Sequence, residues 1–276
     1  MLTGTFSSHN KGDAAMELCA AQELAEAFEG CHVTIASPFP DIDAPFYRSI
    51  DVVRSRRRSL VRGTLNVGRA WAWRTLRERT GVDSKLLLGR DAEARRMAEA
   101  DLVIDLSGDM LTEDYGPHVA YSHFLPLLLA KALGCKVFVC AQSIGPFSAT
   151  KPLARWVLDK ADAVTIRDEL TRHRLVEVGL VREPPLTADL AFLLHPSSSE
   201  RADEILAAEG VPKSARLCGA SVSQLCEKHY DKSHGSKQSF TRLFAHCLDS
   251  YVDEHDVDAV AYTHLRAPET QPVIAY

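Results

Sequence analysis

Short, apolar, β-branched runs alternate with longer stretches of helical periodicity through most of the chain. Residues 2–6, 31–37, 101–106, 136–141 and 163–167 read as strands. Residues 14–29, 91–100, 118–133, 150–160 and 169–178 read as helices, with Gly134 and Gly179 standing where a helix stops. Strands that are almost continuously apolar are buried on both faces. Helices between such strands imply a parallel sheet in an α/β layer structure. The expectation is a Rossmann-like domain with its ligand loops gathered at one sheet edge. Those loops are residues 7–13, 107–116, 142–147 and 167–168.

Between residues 184 and 199 the texture changes. Pro184, Pro185, Pro196 and three serines surround a short apolar run at 190–194, which reads as a hinge. A helix at 201–209, a strand at 217–222, a helix at 240–254 and a strand at 259–263 follow. The predicted organisation is an N-terminal α/β domain over 1–195 and a partial C-terminal α/β domain over 196–276, an incomplete second half of a GT-B-like arrangement.

Composition narrows the functional classes. The 276 residues are 46% hydrophobic and 25% charged, with a formal net charge of −5. A nucleic-acid partner is disfavoured by that balance. The first ten residues lack the basic start and apolar core of a signal peptide, and no run approaches the length of a membrane span. The reading is cytoplasmic. The seven cysteines include no CxxC pair and fit no zinc spacing, so they read as buried, reduced thiols. Neither a GxGxxG nor a Walker loop follows any strand, and no cofactor or metal is expected.

One segment is biased. Residues 54–79 carry Arg54, Arg56, Arg57, Arg58, Arg62, Arg69, Arg74, Arg77 and Arg79, with Trp71 and Trp73 among them. Two readings stand: a peripheral contact with an anionic membrane surface or a phosphate-bearing acceptor, or a solvated helical insertion whose tryptophans pack inward.

Residues at the strand ends carry the candidate chemistry. Gly12 permits a tight turn, and Asp13 reads either as a cap of the following helix or as a group acting on ligand, a general base for a sugar hydroxyl. Gly108 permits close backbone approach after a buried strand. Gln142 and Ser143 end another strand and present polar groups at the crevice. Arg167 ends a buried strand, where a lone charge is costly; its partner is a ligand, or Asp168 or Glu169. His264 follows the last strand, His9 stands beside the first loop, and His229 and His234 read as exposed.

Four segments resemble the polysaccharide pyruvyl transferase family, in the family's order. They are Ser8-His9-Asn10-Lys11-Gly12-Asp13, the strand and turn at 101–111, Gln142-Ser143-Ile144-Gly145-Pro146-Phe147, and Ala163 to Glu169 followed by Thr187-Ala188-Asp189-Leu190-Ala191-Phe192. The resemblance covers residues 2–195 well and the rest loosely. It implies transfer of a pyruvyl group from phosphoenolpyruvate to a sugar of a surface polysaccharide or its precursor. It also implies a substrate set of Asn10, Gly12, Gly108, Gln142, Ser143, Arg167 and His264, with Asp13 as catalytic residue and no metal. A planar arginine fork suits both the phosphate and the carboxylate of such a donor. Two departures stand out: Asp109 replaces a second glycine, and no Arg-x-His motif follows His264. The second reads as a truncated or replaced C-terminus. A GT-B-type glycosyltransferase using a nucleotide sugar, and a non-catalytic binding remnant, remain as alternatives.

Overall fold

The computed structural model describes residues 1–55, 59–211, 216–221, 226–227, 230, 233 and 239–262. Contacts divide the chain into two compact units, Met1–Leu194 and His195–Tyr276.

The first unit is built on six strands: β1 (Leu2–Thr3), β2 (Thr34–Ser37), β3 (Asp51–Arg54), β4 (Leu102–Asp105), β5 (Lys136–Gln142) and β6 (Ala163–Ile166). They form one sheet in the order β3-β2-β1-β4-β5-β6. Every pairing is parallel, from Thr34 opposite Asp51 at one side to Gln142 opposite Ile166 at the other. The chain winds outward from β1 to β3, then returns to β4 and winds the other way. This is the Rossmann-like order, and its reversal between β1 and β4 opens a crevice at the carboxyl ends of those strands.

The helices of this unit are α1 (Lys11–Ala27), α2 (Pro40–Phe46), α3 (Leu60–Thr80), α4 (Ala92–Met97), α5 (Pro117–Leu133), α6 (Lys151–Lys160) and α7 (Glu169–Val178). α5 is apolar nearly all round, as a buried helix must be, and begins with Pro117 at a position where a missing N–H costs nothing. On one face of the sheet Trp73, Phe124, Leu127, Val139 and Ile166 form the core; on the other Leu2, Ile35, Tyr47 and Leu106 pack against Ala20 and Ala21 of α1. Burial of each large side chain contributes roughly 1.5–3 kcal/mol.

The second unit contains α8 (Ser199–Ala208), β7 (Leu217–Ser221), α9 (Phe240–His255) and β8 (Asp258–Tyr262), with β7 and β8 paired in parallel. The α/β class expected from the sequence is therefore observed, with three local differences. α2 and β3 were not anticipated: Pro40 and Pro45 disguise the helix, and β3 is a half-exposed edge strand with a charge at each end. α1 begins at Lys11 rather than Ala14. Three cysteines are buried (Cys19, Cys135 and Cys140), but Cys31, Cys226 and Cys247 are exposed, so the thiols are not uniformly core residues. Among the described residues no helix is long and apolar enough to cross a membrane.

Candidate functional site

The loop after β1 is pinned from below by two buried carboxylates. Asp43 of α2 is 1% exposed. Its Oδ1 accepts hydrogen bonds from Ser8 N (2.8 Å), Ser8 Oγ (2.7 Å) and Ser7 Oγ (3.1 Å), and its Oδ2 accepts one from Ser37 Oγ. Glu17 of α1 accepts from Thr5 Oγ1 at 2.5 Å and from the Tyr47 hydroxyl. Burial pushes the Glu17 carboxyl up to about 7, reinforced by the negative charges of Asp13 and Asp43 and opposed by its two hydrogen bonds.

Above these carboxylates lies the Asn10-Lys11-Gly12-Asp13 segment. Asn10 is the cap of α1, its side chain accepting from Gly12 N at 3.0 Å. The capping role considered for Asp13 therefore belongs to Asn10. Asp13, half-buried in the first turn, accepts instead from Phe6 N at 2.7 Å and ties the helix start back to the loop. Lys11 Nζ donates to Ser8 O at 3.3 Å and lies 5.1 Å from the Phe46 ring centroid. It is a cation at this edge that the sequence reading passed over. His9 is exposed.

At the switch point the strand ends carry a buried polar cluster. Asp105, the last residue of β4, is fully buried. Its Oδ1 accepts from Ser107 Oγ (2.6 Å), Ser107 N (2.9 Å) and Gln142 Nε2 (3.1 Å). Gln142 Nε2 also donates to Asp105 O at 2.7 Å, and His123 Nδ1 of α5 lies 3.1 Å from Ser107 Oγ. Gly4 has φ of 101°, and a Cβ there would lie 2.6 Å from Ser107 Oγ and 2.7 Å from Ser107 N. Only glycine lets β1 end against this cluster. Gly108 (φ 67°) turns the chain out of it, close to Met16 of α1.

Backbone bonds then knit the loops after β4 and β5 together: Ser143 N to Gly108 O at 2.9 Å, and Gly145 N to Leu111 O at 2.7 Å. Glu113 reaches across to cap α6, accepting from Thr150 N and Thr150 Oγ1, both at 2.6 Å. Burial opposes its ionisation, but these bonds outweigh it and hold the carboxyl below its ordinary range. β5 itself is irregular. Its register shifts between Val139 and Gln142, and Ala141 takes a φ of 48°, a backbone region that costs a non-glycine residue energy. The kink brings Gln142 back to Asp105 and turns Ser143 toward β6.

Ser143 is the hinge of the last cluster. Its Oγ donates to Asp168 Oδ2 at 2.6 Å and accepts from Arg167 Nε at 2.9 Å. Asp168 also caps α7 through Thr171 N at 2.7 Å. Burial opposes ionisation of Asp168, but the Ser143 and Thr171 hydrogen bonds and the Arg167 charge keep its carboxyl below the usual range. The ion-pair partner of Arg167 is neither Asp168 nor Glu169 but Asp189, through Nη1. Among the described residues Nη2 of Arg167 has no protein hydrogen bond.

Asn10, Gly12, Asp13, Gly108, Gln142, Ser143 and Arg167 thus all stand at the carboxyl edge of β1, β4, β5 and β6, which are neighbours in the sheet. His264, His229 and His234 lie outside the described residues. The sequence reading missed Asp105, Ser107, His123, Glu17 and Asp189 as a supporting layer. The available signal was Asp105, a carboxylate closing an otherwise apolar strand. No cluster of metal-binding side chains occurs among the described residues.

The four segments quoted from the sequence are the four that build this edge. No curated protein matches the chain. A family model does, the one for polysaccharide pyruvyl transferase, over residues 10–271, which takes in the whole carboxyl edge from Asn10 onward, so the chain belongs to the polysaccharide pyruvyl transferase family.

Proposed function

We propose that this chain transfers a pyruvyl group from phosphoenolpyruvate to a sugar of a surface polysaccharide or its precursor, and that the donor binds around Arg167. The observation that carries the reading is the setting of Arg167. It ends β6 with its side chain only 20% exposed, fixed at Nε by Ser143 and at Nη1 by Asp189. The Ser143 hydrogen bond orients the guanidinium, so that it meets an anion with little entropy left to lose, while the Asp189 carboxylate is the group that the anion must displace. Family membership supports the transferase class, and the glycine turn at Gly108 beside Ser143 supports close backbone approach of a ligand.

The chemistry asks for three things. The methylene carbon of the donor takes a proton, giving an oxocarbenium-like centre. Two sugar hydroxyls add and lose their protons, the carbon–oxygen bond to phosphate breaks, and a cyclic ketal and free phosphate result. Arg167 and Lys11 supply positive charge for the departing phosphate, Asn10 and Ser143 polar contacts, and Asp13 the base for a hydroxyl, while Gln142, 0% exposed and bound to Asp105, supports the floor beneath them. Glu17 holds a proton near neutrality but is 1% exposed, which makes it a support for the Asp13 turn rather than the acid.

Calorimetry with phosphoenolpyruvate tests the donor assignment. Wild type binds, and Arg167→Ala, checked for folding by circular dichroism, binds at least about thirtyfold more weakly. Silence from folded wild type toward phosphoenolpyruvate, with binding of uridine diphosphate, would replace the reading with a nucleotide-sugar transferase.

A further inference from the structure

α3 is amphipathic in a direction that its packing does not explain. Its inner face is Gly63, Val67, Ala70 and Trp73. Gly63 lies against Leu125 of α5, and Ala70 and Trp73 are 0% and 1% exposed. The opposite face of a surface helix is ordinarily polar. Here Val61 is 73% exposed, Leu65 61% and Trp71 64%. Val61, Leu65 and Ala72 repeat at i, i+4 and i+11, one outward line on the helix. Leu86, on the single 3-10 turn that packs against α3, adds a further side chain at 81% exposure.

The charge of the same segment is lopsided. Residues 54–79 hold nine arginines and one acidic residue, Glu78, in a chain whose net charge is −5. Glu78 is bound to Arg74 at 2.6 Å. Arg62 and Arg79 are exposed and, among the described residues, form no ion pair. The outward half of the helix therefore offers apolar groups on the line of Val61, Leu65 and Ala72, an aromatic ring, Trp71, about a quarter turn to one side, and uncompensated positive charge, Arg62, about a quarter turn to the other. The surface that complements all three is a bilayer interface bearing anionic lipid.

We propose that α3 is a peripheral membrane-binding helix. It lays Val61, Leu65 and Trp71 into the headgroup layer, with Arg62 and Arg79 against lipid phosphates; Arg69 is held instead by Leu87 O at 3.0 Å. The inference is independent of the donor reading, since α3 follows β3 at the far side of the sheet and none of these residues is among those assigned to the ends of β1, β4, β5 and β6.

The full chain is sedimented with vesicles of equimolar phosphatidylglycerol and phosphatidylcholine, and with phosphatidylcholine alone. Binding to the anionic vesicles only, weakened by salt, is expected. A blue shift of tryptophan fluorescence accompanies it, kept in Trp156→Phe and lost in Trp71→Ala. The double variant Leu65→Ser, Trp71→Ala binds on the order of tenfold more weakly, and Arg62→Gln and Arg79→Gln roughly fivefold each. Equal partition to both vesicle types, no partition, or wild-type binding by the double variant overturns the proposal. So does a concentration-dependent dimer that the double variant dissolves, which would give the face to a second copy of the chain.

Discussion

Arg167 and Asp189 are 22 residues apart in sequence and ion-paired at the carboxyl end of β6, with only 20% and 24% of their side chains exposed. A donor carrying phosphate and carboxylate competes with Asp189 for the same guanidinium. Asp189→Asn keeps the cap of the following turn, where Oδ1 accepts from Ala191 N at 2.8 Å, and removes only the charge. Phosphoenolpyruvate then binds more tightly than to wild type. Arg167→Ala loses about 2 kcal/mol or more of binding, roughly a thirtyfold rise in Kd. Calorimetry on the pair checks both directions. Weaker binding by Asp189→Asn would mean that the carboxylate orients the arginine rather than competes for it.

The Glu17 carboxyl gives a stability profile of definite sign. Its folded value is raised from 4.5 to about 7, so the folded state holds a proton that the unfolded chain has released. Between those two values the unfolded state binds fewer protons, and stability falls as pH rises. The loss totals about 3 kcal/mol on the usual conversion of one unit to 1.36 kcal/mol. Glu17→Gln removes that slope. Its partners, Thr5 Oγ1 and the Tyr47 hydroxyl, both donate and accept, so a neutral amide is tolerated. Urea melts at pH 5 and pH 8 should therefore show the variant gaining on wild type at the higher pH. An equal gap at both values would place the proton elsewhere.

How much of this was legible beforehand follows from range. The sheet was readable because β4 and β5 are nearly continuous apolar runs, and α5 and α7 end at glycine. The strand-end loops were readable as ligand loops because topology puts them on one edge. The start of α1 was not: Asp13 before an alanine run looked like a cap, but Asn10 captures Gly12 N and the helix tolerates Lys11 and Gly12 in its first turn. The supporting layer was out of reach for a deeper reason. Asp105, His123 and Gln142 come from three elements, and Glu17 meets Tyr47 across 30 residues. Local pattern carries no trace of such pairings. The partner of Arg167 is likewise non-local: Asp189, 22 residues on, and not the adjacent Asp168 or Glu169.

Two glycine-to-alanine substitutions should have opposite signs. Gly4→Ala forces a side chain into a left-handed backbone and onto Ser107 N at 2.7 Å, which is main chain and cannot swing away. A cost above about 2 kcal/mol is expected from strain and overpacking together. Gly68→Ala sits mid-helix in α3 with nothing within 4 Å of the new Cβ. It stabilises by up to about 1 kcal/mol through helix propensity alone. Chemical denaturation of both variants measures the contrast; a mild Gly4→Ala would mean that the Asp105 cluster is looser than its hydrogen bonds indicate.

Trp71 and Trp73 stand two residues apart on one helix and do different things. Trp73 is 1% exposed in the core between α3 and α5, its Nε1 donating to Asp83 Oδ1 at 3.0 Å, with the Arg77 guanidinium 5.2 Å from its ring centroid. Trp73→Ala removes a large buried ring and leaves a cavity, a loss of about 3–5 kcal/mol. Trp71 is 64% exposed and, among the described residues, its ring has no such partners, so Trp71→Ala changes stability by less than about 0.5 kcal/mol. Thermal unfolding of the two single variants separates these cases. The comparison also decides how vesicle binding is to be read: if Trp71→Ala leaves stability untouched while abolishing the fluorescence shift, its role is at a surface. If it unfolds the protein as Trp73→Ala does, the outward ring is part of the core after all, and the sequence reading in which both tryptophans pack inward was the right one.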